Sequence, residues 1–286
     1  MALQRFGGGR VKPGHDVRLR LIFNADDFGL HTSVNEAVEQ AHSQGVLTAA
    51  SLMVGSPGHE EAVAIARRMT TLAVGLHLVL TDGIPVLPAA QIPALTQANG
   101  RFRDDMAGMG LTLAVSATAR AELRAEIDAQ IARFAESGLT PDHINAHKHY
   151  HLHPVIFAQI AHAPGFPAMR IPFETGGPAI QNLWCRALRR RGLPSPDRVV
   201  GLRWSGAFTA DPVLEALSRL QPGVTEFYFH PATRNDVPGG APGYRYTDEL
   251  AALTDARVID AVAGIPRGGY AAMLTRRDDR LAVAQG

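Results

Sequence analysis

The chain has 286 residues, of which 46% are hydrophobic, and Lys+Arg 28 nearly balance Asp+Glu 27 for a formal net charge of +1. That content excludes disorder as the default, and the near-neutral balance excludes the global basic field by which proteins attract nucleic acid. The single cysteine, Cys185, excludes an internal disulfide and a multi-thiolate metal site within one chain, so any metal is expected on oxygen and imidazole.

Residues 1–16, with Arg5, Arg10 and Lys12 around Gly7-Gly8-Gly9, read as a flexible leader, and residues 17–286 as a single domain. No run of about eighteen apolar residues marks a membrane-spanning helix, so a cytoplasmic protein is expected. Val17, Leu19, Leu21 and Phe23 alternate with Arg18, Arg20, Ile22 and Asn24, which predicts a first strand ending at Asp26-Asp27. Ser33 and Glu36 fit a capping box, and Val34, Ala37, Val38 and Ala41 form the stripe of a first helix that Gly45 stops. A second strand is expected over Thr48 to Val54, a helix from Ser56-Pro57 to about Met69, and a third strand over Leu72 to Leu80 that carries His77.

Thr81 to about Gly110 breaks into scattered Pro and Gly and reads as a long substrate-side loop. Helical periodicity resumes over Ala114 to Ser137. Alternation returns over His143 to His151, Pro154 opens another helix, and Ala168 to Phe173 reads as a short strand. Further strands are expected near Val199 to Trp204 and Thr225 to Phe229, with helices near Pro212 to Leu220 and Asp248 to Ala263. This alternation predicts an α/β fold with parallel strands, a distorted or incomplete (β/α) barrel.

Two neighbouring acids at a strand end repel one another, so Asp26 and Asp27 ask for a cation or a shifted pKa. Five of the twelve histidines fall in His143 to His153; an extended segment would point His147, His149 and His151 to one face. Taken singly, His77 has a plain reading as a core histidine, the acid pair as a turn device and the cluster as a surface patch. Jointly they predict one divalent metal on Asp27, His77 and His147 at three strand ends, as at the C-terminal mouth of a barrel. Zinc suits two imidazoles, with Mg, Ni or Co as alternatives. Asp26 is then free to act as general base on water, and His230, in Phe229-His230-Pro231, is placed as general acid.

The segments Asn24-Ala25-Asp26-Asp27-Phe28-Gly29, Gly75-Leu76-His77-Leu78, His147-Lys148-His149-Tyr150-His151 and Phe229-His230-Pro231 resemble the ordered motifs of the YdjC-like carbohydrate deacetylase family. The resemblance covers roughly residues 20 to 275. It implies a distorted (β/α) barrel that removes N-acetyl groups from amino sugars with a divalent metal on Asp27, His77 and His147, Asp26 as base and His230 as general acid. Arg170, in Met169-Arg170-Ile171-Pro172, matches an arginine that orients an acid or binds substrate, and His149 and His151 are expected to touch substrate.

Chito-oligosaccharide members carry Asp-Ser before the first histidine of the cluster, where this chain has Asn145-Ala146, and a histidine where it has Lys148. The form Asn-Ala-His-Lys-His-Tyr-His-Leu-His-Pro is similar instead to the hopanoid-biosynthesis-associated branch. The implied substrate is an N-acetylglucosaminyl hopanoid, a glycolipid at the inner face of a membrane. Leu183 to Arg191 combines apolar anchors with four arginines and is expected to lie peripherally on anionic lipid. Oligomeric state is left open, a homodimer being one alternative. Two rival classes are a metal-dependent phosphoester hydrolase, for which no phosphate-cradling glycine loop is present, and an inactive sugar- or lipid-binding protein, which would lack a ligand or the base.

Overall fold

A computed structural model describes residues 19–174 and 177–274; the expected leader, with Val17 and Arg18, lies outside the described residues. The chain order is β1 (Leu19–Phe28), α1 (Thr32–Gln44), β2 (Ala49–Leu52), α2 (His59–Arg68), β3 (Ala73–Leu78), α3 (Met106–Val115), α4 (Ala117–Glu136), β4 (Pro141–Ala146), α5 (Pro154–Ile160), α6 (Ala179–Arg189), β5 (Arg198–Val200), α7 (Ala210–Ser218), β6 (Gly223–Phe229), α8 (Tyr246–Leu253), α9 (Ala256–Ala261) and α10 (Tyr270–Leu274). The six strands form one parallel sheet in the order β4-β3-β2-β1-β6-β5.

The sheet curls, and the expected strand over 168–173 fills the gap between its ends. Ile144 N donates to Ala168 O at 3.0 Å on the β4 side, and Val199 N donates to Phe173 O at 2.8 Å on the β5 side. The result is the predicted irregular barrel, with β1 at its centre and buried on both faces. Period-2 alternation sends Leu21, Phe23 and Ala25 outward to the helices and Ile22, Asn24 and Asp26 inward. Outside, Phe23 stacks on Phe227 at 5.1 Å, and Phe208 on Phe229 at 4.7 Å. Each such buried ring stabilises by about 1.5–3 kcal/mol. At the base of the interior, Ile22, Ala49, Ala168 and Val224 close against Tyr270, Met273 and Leu274 of α10.

The helix ends correct several expectations. His31, not Ser33, caps α1: its ring accepts from Ser33 N at 3.1 Å, while Val34, Ala37, Val38 and Ala41 are buried as expected. Thr81 to Gly110 is not all loop. Asp105 accepts from Gly108 N at 2.9 Å and starts α3, which the glycines 108 and 110 disguise in the sequence. The helix expected over 248–263 is two, because the Asp255 side chain accepts from Arg257 N and starts α9 afresh.

The largest correction concerns the histidine cluster. β4 ends at Ala146, and His147–Leu152 winds into a tight turn with Lys148 and His149 at φ 52°. The segment is therefore not extended, and His147, His149 and His151 do not share a strand face. Non-glycine residues take the left-handed region at a cost of roughly 1–2 kcal/mol each, which the surrounding contacts must offset.

Candidate metal centre

Adjacent strand residues point to opposite faces, so Asp26 and Asp27 should not both reach one site. The pairing of β1 with β2 slips between Ala25 and Phe28, and Asp27 adopts φ 61°. This bulge turns Asp27 back over the barrel mouth, beside the inward Asp26. The next partners come from the ends of the two strands beyond β2: His77 is the penultimate residue of β3, and His147 begins the turn after β4.

Asp27 Oδ1 lies 3.3 Å from His77 Nε2 and 3.1 Å from His147 Nδ1, and one donor atom from each of the three residues falls within 4.8 Å of the others. Two ligands about 2.1 Å from a tetrahedral cation stand about 3.4 Å apart, so the spacing fits a zinc-type ion. The two imidazoles meet edge to face, with centroids 5.7 Å apart. Asp27 and His77 are buried and His147 is half-buried, which leaves one open side. Burial alone would raise the Asp27 pKa, but His147 and His77 hold it well below the usual carboxylate range. Burial would lower His77, yet Asp26 and Asp27 together push it above its ordinary value. The three groups are complementary in charge and suited to a divalent cation.

Beneath them, Asp26 is held in a fork by Arg170: Nη1 donates to Oδ2 at 2.6 Å and Nη2 to Oδ1 at 2.9 Å. Asn24 Nδ2 adds a further bond to Oδ1 at 2.9 Å. Despite burial, which opposes ionisation, the Arg170 guanidinium keeps Asp26 well below the usual carboxylate range. Arg170 also donates through Nε to Glu226 Oε1 at 2.8 Å and lies over the Tyr228 ring at 4.7 Å. It has no exposed surface, and its bonds to Asp26 are those of a side chain that orients an acid.

His151 is likewise interior. It is fully buried, with Nε2 donating to Arg170 O at 2.8 Å, and burial pushes its pKa down to about 4. It props the backbone that carries Arg170. His149 is half-buried, sits edge-on to Tyr228 at 5.4 Å and is held neutral by burial and by Arg170. His230 lies between the Tyr228 and Tyr244 rings, at 5.6 and 5.4 Å, with Nδ1 3.9 Å from Glu249 Oε2. β6 pairs with β1 up to Phe229 opposite Ala25, so His230, one residue on, stands at the same mouth as Asp26 and Asp27.

Sequence reasoning missed Glu226, Asn24, Tyr228, Tyr244 and Glu249. Glu226 had a legible signal: a lone acid in the apolar run 225–229 needs a buried cation. Glu249 had none, since the first turn of a helix is a common place for an exposed acid; here burial raises its pKa.

The family described as YdjC-like protein matches residues 20–263. A carbohydrate deacetylase of Geobacillus stearothermophilus is 34% identical over 247 residues, 85% of this chain and 92% of the relative. One of Brevibacillus brevis is 45% identical over 138 residues, 48% of this chain and about half, 52%, of that relative. A chitooligosaccharide deacetylase of Enterobacter is 40% identical over 144 residues, covering 49% of this chain and 54% of its own. Among solved structures, a candidate cellobiose-phosphate cleavage protein of Enterococcus faecalis superposes with a TM-score of 0.76 at 28% identity, over 90% of this chain and 99% of its own. The chain is a member of the YdjC-like protein family.

Proposed function

We propose that the protein is a metal-dependent hydrolase that removes the N-acetyl group from an amino sugar. The observation that carries this reading is the bulge at Asp27, which sets a three-donor cation site directly beside a second carboxylate that Arg170 favours in its ionised form. Asp27, His77 and His147 would hold a divalent cation, which would supply Lewis-acid polarisation of a carbonyl and acidification of water.

The chain's own residues supply the proton steps. Asp26 accepts a proton from water at the carbonyl carbon, and Arg170 and Asn24 fix the direction of its oxygens. His230 delivers a proton to the departing amine nitrogen, without which an amine leaves poorly. The Tyr228 and Tyr244 rings beside it limit water access and hold the imidazole in place.

We assign the substrate as the N-acetylglucosaminyl headgroup of a hopanoid glycolipid, reached from a membrane surface. In support, α6 exposes Ile180 (82%) and Leu183 (68%) beside exposed Arg186, Arg190 and Arg191. Its Trp184 Nε1 donates to Leu152 O at 3.0 Å, which ties that face to the turn bearing His147. On the other side of the turn, Tyr150 Oη donates to Met106 O of α3, whose Leu111 (66%) and Val115 (74%) are exposed. Apolar anchors with basic neighbours suit an anionic lipid surface. Among the described residues no helix is long and apolar enough to cross a membrane.

Acetate release from an N-acetylglucosaminyl hopanoid in vesicles and from soluble chito-oligosaccharides separates the two substrate readings. Faster release from the lipid is expected. Release from the oligosaccharides alone would transfer the reading to the activity in the Enterobacter relative's name, and release from neither would refute the deacetylase.

A further inference from the structure

One ion pair at the barrel mouth takes no part in the proton steps proposed above. Lys148 Nζ donates to Asp82 Oδ2 at 2.5 Å, with the two side chains 38% and 49% exposed. Lys148 directly follows the half-buried His147, so its Cα stands about 3.8 Å from that of a candidate ligand. Asp82 lies just beyond β3, the strand that carries His77. Both therefore stand on the rim of the cation site.

Among the described residues four non-glycines take positive φ: Asp27, Asp82, Lys148 and His149. Asp27 forms the bulge, and Lys148 with His149 forms the turn that presents His147. Asp82 shapes neither, yet it holds φ 50° and its side chain meets that of left-handed Lys148. A solvated ion pair contributes less than left-handed non-glycine backbone costs, so stability does not account for the arrangement. Backbone strain of this kind collects at ligand sites. Both partners also stand on braced chain. On either side of Asp82, Thr81 Oγ1 donates to Arg103 O at 2.8 Å and Phe102 N to Gly83 O at 3.0 Å. Beyond Lys148, Tyr150 Oη donates to Met106 O at 2.8 Å.

The identity of the cation narrows the ligand. Lys12 and Lys148 are the only lysines of a chain otherwise supplied with arginine. An arginine facing a carboxylate forks onto both oxygens and uses them up. An ammonium takes one, here Oδ2, which leaves Asp82 Oδ1 and two ammonium hydrogens for a ligand. Each sugar hydroxyl can donate and accept, so a donor and an acceptor side by side match two neighbouring hydroxyls. A phosphate would meet the Asp82 charge instead. We propose that Lys148 and Asp82 bind the sugar ring: the ammonium donates to one hydroxyl and the carboxylate accepts from the next, with the acetamido group over the cation site.

The proposal rests on the deacetylase reading for the place of the acetamido group, and its test measures binding apart from turnover. The probes are the methyl glycoside of N-acetylglucosamine and each of its monodeoxy forms. They are offered to Zn2+-loaded wild type, Lys148→Met and Asp82→Gly, the last because glycine accepts the positive φ. Saturation-transfer NMR reports affinity, and acetate release reports kcat and KM. Each variant is expected to raise Kd and KM about 10-fold with kcat within a few-fold of wild type. Wild type should bind one monodeoxy sugar about 10-fold more weakly than the parent, and Lys148→Met should erase that difference. A purely structural ion pair would show no such coupling. Equal affinities in wild type and both variants, or the same monodeoxy penalty with and without Lys148, would overturn the proposal and leave the deacetylase standing. Binding that depends on Lys148 without acetate release would uphold the proposal and refute the reaction. Failure of wild type to bind the sugar would overturn both.

Discussion

Arg170 faces inward between Asp26 and Glu226, and its guanidinium bonds to both carboxylates. Removing one partner of a buried pair leaves an uncompensated charge at about 3–5 kcal/mol. Arg170→Met is therefore expected to lower unfolding free energy in urea by that amount and to raise the Asp26 pKa. A loss under about 1 kcal/mol would show that the pair is solvated. His151 makes a pH prediction. Its folded pKa of about 4 lies below the ordinary 6.5, so the fold favours the neutral ring. That contribution is full above pH 6.5 and is lost as pH falls through about 4, with roughly 2 kcal/mol gone between pH 7 and 5. Metal-free His151→Phe should lack that part of the slope in denaturant titrations; an unchanged slope would place the loss elsewhere.

At the scale of elements, two backbone irregularities build the site: the β1 bulge at Asp27 and the turn after β4. Neither was legible. The bulge occupies positions whose alternation is otherwise regular, and Lys148 and His149 carry none of the glycine or asparagine that marks a left-handed turn. Alternating histidines imitate a strand because period 2 is all that pattern reports. By contrast, the α1 stripe and the β1, β3 and β6 apolar runs were legible, since burial of one face decides them. Lys148→Gly discriminates turn from strand. In the turn it relieves φ strain that outweighs the exposed ion pair with Asp82, so stability should hold or rise by up to about 1 kcal/mol. A strand would lose about that amount.

Helix α6 carries a further expectation. Arg189 is tied to Asp197 by bonds of 3.1 Å to its backbone and side chain, so the charge available to the proposed lipid contact is that of the exposed Arg186, Arg190 and Arg191. Ile180→Ser with Leu183→Ser should weaken binding to anionic vesicles at least tenfold in sedimentation; equal binding would remove α6 from the lipid surface.

Across the whole molecule the barrel interior is graded, apolar at the α10 end and polar towards the mouth, through Asn24, Ser51, His143, Asn145, Arg170 and Glu226. Sequence reasoning saw the rim of this column, because Asp26, Asp27, His77 and His147 lie in dense motifs. It named Arg170 but missed the joined column, because Ser51 and Glu226 are single polar residues on distant strands that meet Asn24, His143, Asn145 and Arg170 only through the curl of the sheet. A cation at the rim should stabilise the fold by mass action, raising Tm by roughly 5–10 °C at a hundredfold excess over Kd. The most direct test of the account is acetate release measured together with metal content for wild type, Asp26→Asn and metal-stripped protein. The account predicts about one metal per chain in wild type and in Asp26→Asn, turnover at least 100-fold lower in the variant, and none after stripping. Turnover by Asp26→Asn within a few-fold of wild type, or by the stripped protein, would contradict it.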